Sequence, residues 1–157
     1  MSDTITIYVD ADACPVKQEV MRVAERHSVP VAFVSNAHMR LPEGPLVQRV
    51  IVEEGPDVAD DWIAERAGAA DIVITQDIPL ASRALKAGAA AIGPTGKPFD
   101  KGSIGMALAM RELKQHMRET GEGGNFNAAF TARDRSQFLQ ALENAVQNKK
   151  RELSARR

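Results

Sequence analysis

The sequence predicts a single α/β domain built on a mainly parallel sheet with helices on both faces. Two observations predict this fold class. Short β-branched apolar runs alternate with stretches of helical period, and each strand–helix–strand unit is short enough for a right-handed parallel crossover. A length of 157 residues suits one domain with a real core.

The elements follow in order. "TITIYV" (4–9) has strand length and composition, and "PVKQEVMRVAERH" (15–27) opens a helix with Pro15 at its first position. "VPVAFVS" (29–35) is a second strand, followed by the polar connection "NAHMRLPEGP". "LVQRVIVEE" (46–54) is a third strand, and "DVADDWIAERAG" (57–68) is a short helix ended by Gly68. "DIVIT" (71–75), "PLASRALKAG" (79–88) and "AAAIG" (89–93) supply strand four, a helix stopped by Gly88, and strand five. A strong amphipathic helix is predicted over 103–118, then a mobile Gly-rich loop over 119–129. A C-terminal helix over about 133–153 presents Phe138, Leu139, Leu142 and Val146 on one face.

Composition narrows the function classes. Hydrophobic residues make up 44% and charged residues 26%, which excludes global disorder. A net charge of −1 gives no basic footprint, so nucleic-acid contact requires a local patch or a metal-bridged phosphate. A single cysteine, Cys14, excludes an intramolecular disulfide framework and a multi-cysteine zinc site. The first residues do not read as a signal peptide, and no run approaches the roughly 20 apolar residues of a membrane helix. The expected location is the cytoplasm, with no membrane partner.

The acids are distributed unevenly. Asp10 and Asp12 follow strand one; Glu53, Glu54 and Asp57 follow strand three; Asp77 follows strand four; Asp100 comes after strand five. All fall at the carboxyl ends of strands, where open parallel sheets bind ligands. Within the helix at 57–68, Val58, Ala59, Trp62, Ile63, Arg66 and Ala67 span a half-circle to be buried. Asp60 falls at about 200°, just outside that stripe, whereas Asp57 and Asp61 point farther into solvent. Asp60 is therefore the helical acid placed to lean toward the rim. A rim of carboxylates suits a hard divalent cation, Mg²⁺ or Mn²⁺, which activates water and offsets charge on a phosphodiester. Capping is the competing role for Asp12, Asp57 and Asp77. Asp10, closing a buried strand, has no local helix to cap.

The segments "DADACPV", "PDVADDWIAERA", "DIVITQDIPLA", "MALAMRELK" and "FTARDRSQF" resemble the YaiI/YqxD family of small bacterial proteins, over nearly the whole chain. That family resembles the PIN-like nuclease group, whose members hold Mg²⁺ or Mn²⁺ on a rim of acids and cut RNA. The resemblance implies a PIN-like, Rossmann-like domain over residues 1–157. It makes Asp10 the first acid, Asp60 the helical one and Asp77 the one after strand four. Asp12 belongs to the "DADACPV" motif, and Asp100 would be the late acid.

The leading expectation is a divalent-metal-dependent ribonuclease that uses metal-activated water, with catalytic Asp10, Asp60 and Asp77 and metal ligands Asp10, Asp12, Asp60, Asp77 and Asp100. Asn36, Arg40, Lys101 and Ser103 are candidate substrate-phosphate contacts on the same rim. One alternative is a non-catalytic module that binds metal and nucleic acid. Another starts from D-x-D after strand one, which resembles haloacid-dehalogenase-type phosphatases, with Asp10 as nucleophile and Asp12 as general acid/base. Cys14 stands where that group has a small hydroxyl residue. Cys14 itself reads as a packed thiol, His27 as a helix-end residue, and "KKRELSARR" as a solvated tail. His27, His38 and His116 show no metal-ligand spacing.

Overall fold

The computed structural model describes residues 4–36, 39–55, 57–106, 108–110 and 130–155. The short apolar runs form five strands, β1 (Ile7–Asp10), β2 (Val31–Ser35), β3 (Val47–Ile51), β4 (Ile72–Ile74) and β5 (Ala90–Ile92). Every pair of neighbouring strands is parallel, and the spatial order is β3-β2-β1-β4-β5. Helices α1 (Lys17–His27), α2 (Val58–Arg66) and α3 (Ile78–Lys86) follow β1, β3 and β4, and a C-terminal helix spans Ala132–Ala155. Between β2 and β3 the described chain carries no helix, so that crossover is a loop.

Side-chain alternation along the strands divides the core in two. On one face Ile7, Val9, Val31, Phe33, Ile72 and Ile74 pack under α1 and the C-terminal helix, which bury Val20, Val23, Phe138, Leu142 and Val146 there. On the other, Tyr8, Val34, Val73 and Ala91 meet Ala59 and Ile63 of α2 and Leu80, Ala84 and Leu85 of α3. Both faces are covered, as a parallel sheet requires.

The helix ends show which local signals act. Ser28 takes the left-handed conformation (φ 55) after α1, and Val29 N–H closes back on Ala24 O at 2.9 Å. Gly88 (φ 90) does the same for α3, with Ala89 N–H on Ala84 O at 3.0 Å, so Gly88 is the stop that its sequence position indicated. Gly68 is not the stop for α2, because extended Ala67 already ends that helix.

Several other expectations need correction. Pro15 lies in a turn before α1, with Val16 in the capping position. Asp57 occupies the N-cap position of α2, but its backbone is left-handed (φ 67) and its side chain makes no capping hydrogen bond. The helix expected to start at 103 already starts at 101, while residues 111–118 and the Gly-rich stretch 119–129 lie outside the described residues, as do His38 and His116. The basic tail is not simply solvated. The C-terminal helix continues to Ala155, Leu153 is buried, and Lys149 is only 6% exposed. The Lys149 ammonium donates to Ala69 O (2.9 Å), Gly88 O (3.1 Å) and Glu152 Oε2 (3.2 Å), pinning this helix to the loops that precede β4 and β5. No described helix is long and apolar enough to cross a membrane.

Candidate acidic site at the sheet switch point

The chain moves outward from β1 through β2 to β3, then returns to the other side of β1 for β4 and β5. The order therefore reverses between β1 and β4, and the crevice beyond their carboxyl ends is where such sheets bind ligands. Asp10 closes β1 two residues after Tyr8, so both side chains face α2 and α3. Asp60 lies in the first turn of α2, and Asp77 is the N-cap of α3. Both helices begin at this edge of the sheet.

Hydrogen bonds join the pieces. Thr75 Oγ1, just past β4, donates to Asp10 Oδ2 at 3.0 Å and accepts the Asp77 N–H at 2.9 Å. Asp77 Oδ1 accepts the Leu80 N–H at 2.8 Å, so its carboxylate does cap α3 and keeps Oδ2 for other work. Asp12 is bound differently. Its Oδ1 accepts from Ser35 Oγ at 2.7 Å and its Oδ2 from the Asn36 N–H at 3.0 Å, tying the short 3₁₀ turn Ala11–Ala13 to the end of β2. Asp12 is therefore no helix cap, and each of its oxygens accepts one hydrogen bond from the end of β2.

The acids feel one another. Burial pushes the Asp60 carboxyl up to about 7, and Asp77, Asp10, Asp57 and Asp61 push it the same way. Burial also raises Asp10; the Thr75 hydrogen bond pulls it down, and Asp12 and Asp77 push it up again. Carboxylates crowded in a half-buried crevice resist simultaneous ionisation. On the solvent side of α2, Asp61 is exposed and paired with Arg83 at 2.5 Å, whereas Asp60 is half-buried. The buried line of α2 runs through Ala59, Ile63 and Ala67. That line is narrower than the predicted half-circle, but Asp60 still borders it.

The donor chemistry suits a hard divalent cation, since every side chain offered here is a carboxylate whose repulsion a cation relieves. Among the described residues, however, no three His, Cys, Asp or Glu side chains form a group that could hold a metal ion as they stand. Asp10 and Asp77 are each oriented by a protein donor on one carboxylate oxygen.

The "Uncharacterized BCR, YaiI/YqxD family" description matches residues 8–148. The chain belongs to the YaiI/YqxD family. A UPF0178 protein of Parvibaculum lavamentivorans is 62% identical over 141 residues, covering 90% of this chain and 93% of that relative. A UPF0178 protein of Rhizobium meliloti is 57% identical over 145 residues (92% and 99%), and one of Nitrobacter winogradskyi is 55% identical over 152 residues (97% of each). No solved structure gives a significant match.

In this YaiI/YqxD chain Asp100 is not among the groups that act on the acidic cluster. Asp100 Oδ1 accepts the Ser103 N–H at 2.8 Å, making it the cap of the helical segment that begins at 101. Ser103 and Lys101 are exposed on that segment. Asn36 meets Asp12 through its backbone N–H. Arg40 lines a surface cleft of about 360 Å³ with Leu41, Glu43 and Arg49. Cys14 is buried, and burial raises its thiol pKa, in keeping with a packed thiol. His27 Nε2 pairs with Glu143 Oε2 at 2.8 Å while Lys150 Nζ meets His27 Nδ1 at 2.9 Å, a helix-end contact between α1 and the C-terminal helix.

Sequence reasoning missed Thr75 altogether and the hydrogen bond of Ser35 to Asp12. Both residues carry a hydroxyl just at the carboxyl end of a buried apolar run, "IVIT" and "VAFVS". A buried hydroxyl needs a partner, and the nearby acids are the available acceptors. That was the readable signal.

Proposed function

We propose that this protein is a divalent-metal-dependent phosphodiesterase acting on RNA, with Asp10, Asp60 and Asp77 as its working acids. One observation supports the reading: Asp77 and Asp10 both push the half-buried Asp60 carboxyl upward, and Asp77 pushes Asp10 the same way, although the three come from separate elements. Asp10 and Asp77 would hold the cation, and Asp60, whose carboxyl titrates near neutral pH, would ionise fully as it joins them. Bound there, Mg²⁺ or Mn²⁺ supplies Lewis acidity and a water of lowered pKa. The chain's own part is to orient and discharge: Thr75 fixes Asp10, the α3 amide of Leu80 fixes Asp77, and the first turn of α2 carries Asp60.

The phosphatase alternative fits less well. It needs Asp12 as a mobile acid/base beside Asp10, but both Asp12 oxygens accept hydrogen bonds from the end of β2. Affinity for RNA should be weak and favoured by low salt, given the net charge of −1.

The test is cleavage of single-stranded RNA by the full chain with Mn²⁺ at low salt, beside Asp10→Asn and Asp77→Asn purified identically. Asn is as good an N-cap as Asp, so Asp77→Asn removes the charge while keeping α3 capped. Cleavage by the wild type and its loss in both variants is expected. Equal cleavage by all three assigns the activity to a contaminant. No cleavage of RNA or DNA with Mn²⁺ bound at the acids favours a binding module.

A further inference from the structure

Thr75 is 3% exposed at the end of an apolar strand, a place where valine would fill the same volume without a hydroxyl to desolvate. Its backbone N–H is taken by Ile92 O at 3.1 Å, so β5 holds it from one side. Its hydroxyl lies in a directional relay. The Asp77 N–H donates into Thr75 Oγ1, and the single hydroxyl proton then points to Asp10 Oδ2, which accepts it. A β-branched side chain in a packed strand end has little χ1 freedom, so this relay has one geometry. It spans the β1–β4 seam, where the strand order reverses.

We propose that Thr75 is the positioning residue of the acidic site: its hydroxyl locks Asp10 and the Asp77 turn into one arrangement across the seam and leaves Asp10 Oδ1 as the oxygen offered to a ligand. This rests on the reading of the site as a cation site. Ser35, the corresponding hydroxyl at the end of β2, donates to Asp12 instead.

Thr75→Val and Thr75→Ser separate shape from hydrogen bonding. Mn²⁺ binding to each full-length protein is measured by calorimetry. Thr75→Val is expected to bind about 10–100-fold more weakly, as for other losses of a ligand-orienting partner, and Thr75→Ser to recover most of that loss. In parallel, the three-bond N–Cγ coupling of Asp10 is read by NMR in chelator. A single Asp10 rotamer is expected in wild type and Thr75→Ser, and rotamer averaging in Thr75→Val. Equal Mn²⁺ affinity for wild type and Thr75→Val overturns the proposal. If the wild type binds no Mn²⁺, the cation reading fails instead, and the NMR result still decides: an unchanged single rotamer in Thr75→Val overturns the positioning role, while averaging upholds it.

Discussion

Ser35 Oγ donates to Asp12 Oδ1 at 2.7 Å, which separates the work of two carboxylates only two residues apart. Asp12 serves the fold by joining the turn after β1 to the end of β2. Asp12→Ala removes the acceptor that Ser35 Oγ and the Asn36 N–H share, so it should cost about 0.5–1.5 kcal/mol. Asp10→Asn in chelator should leave stability unchanged or raise it, because it removes a charge that Asp12 and Asp77 oppose. Urea unfolding of both variants checks this. Equal losses would contradict the division of labour.

Asp60 makes stability depend on pH. Its folded pKa of about 7 lies above the ordinary value of 3.8, so the folded state binds the proton more tightly than the unfolded chain. This favours the folded state most below pH ~4, and the advantage is lost as pH rises through about 7. In chelator, the wild type should therefore lose stability across that window relative to Asp60→Asn. Parallel stability-versus-pH curves for the two proteins would show that Asp60 does not titrate there.

Cation binding should reverse that penalty. At a free Mn²⁺ concentration about 100-fold above its dissociation constant, stabilisation should reach roughly 2.7 kcal/mol. Asp10→Asn should reduce the melting shift, and an unchanged shift removes Asp10 from the ligand set.

Lys149 offers a test of the fold away from the acids. Lys149→Met keeps much of the buried stem but leaves the carbonyls of Ala69 and Gly88 without this donor. A cost of about 1–3 kcal/mol is expected, or roughly 2–4 °C in melting temperature for each kcal/mol in a domain of this size. A melting temperature equal to wild type would mean that the C-terminal helix is held by its apolar face alone.

Local pattern carried much of this architecture. The β-branched runs placed four strands and the short apolar run "AAAIG" the fifth, and counting 100° per residue along α2 separated half-buried Asp60 from exposed, Arg83-paired Asp61. What local pattern could not show was partnership across the chain. Thr75 meets Asp10 from 65 residues away, and Lys149 meets Ala69 from 80. Lys149 looked like part of a solvated basic run because nothing nearby in sequence announces the carbonyls that it satisfies. Asp57 looked like a cap, and its left-handed backbone leaves it at the N-cap position with no capping hydrogen bond.

The proposed function needs Asp10, Asp60 and Asp77 to hold one divalent cation together. Anomalous diffraction from a crystal soaked in Mn²⁺ tests it most directly. A peak is expected in the crevice between the ends of β1 and β4, bounded by carboxylate oxygens of these three residues. A saturating soak that places Mn²⁺ only elsewhere, or nowhere, would contradict it.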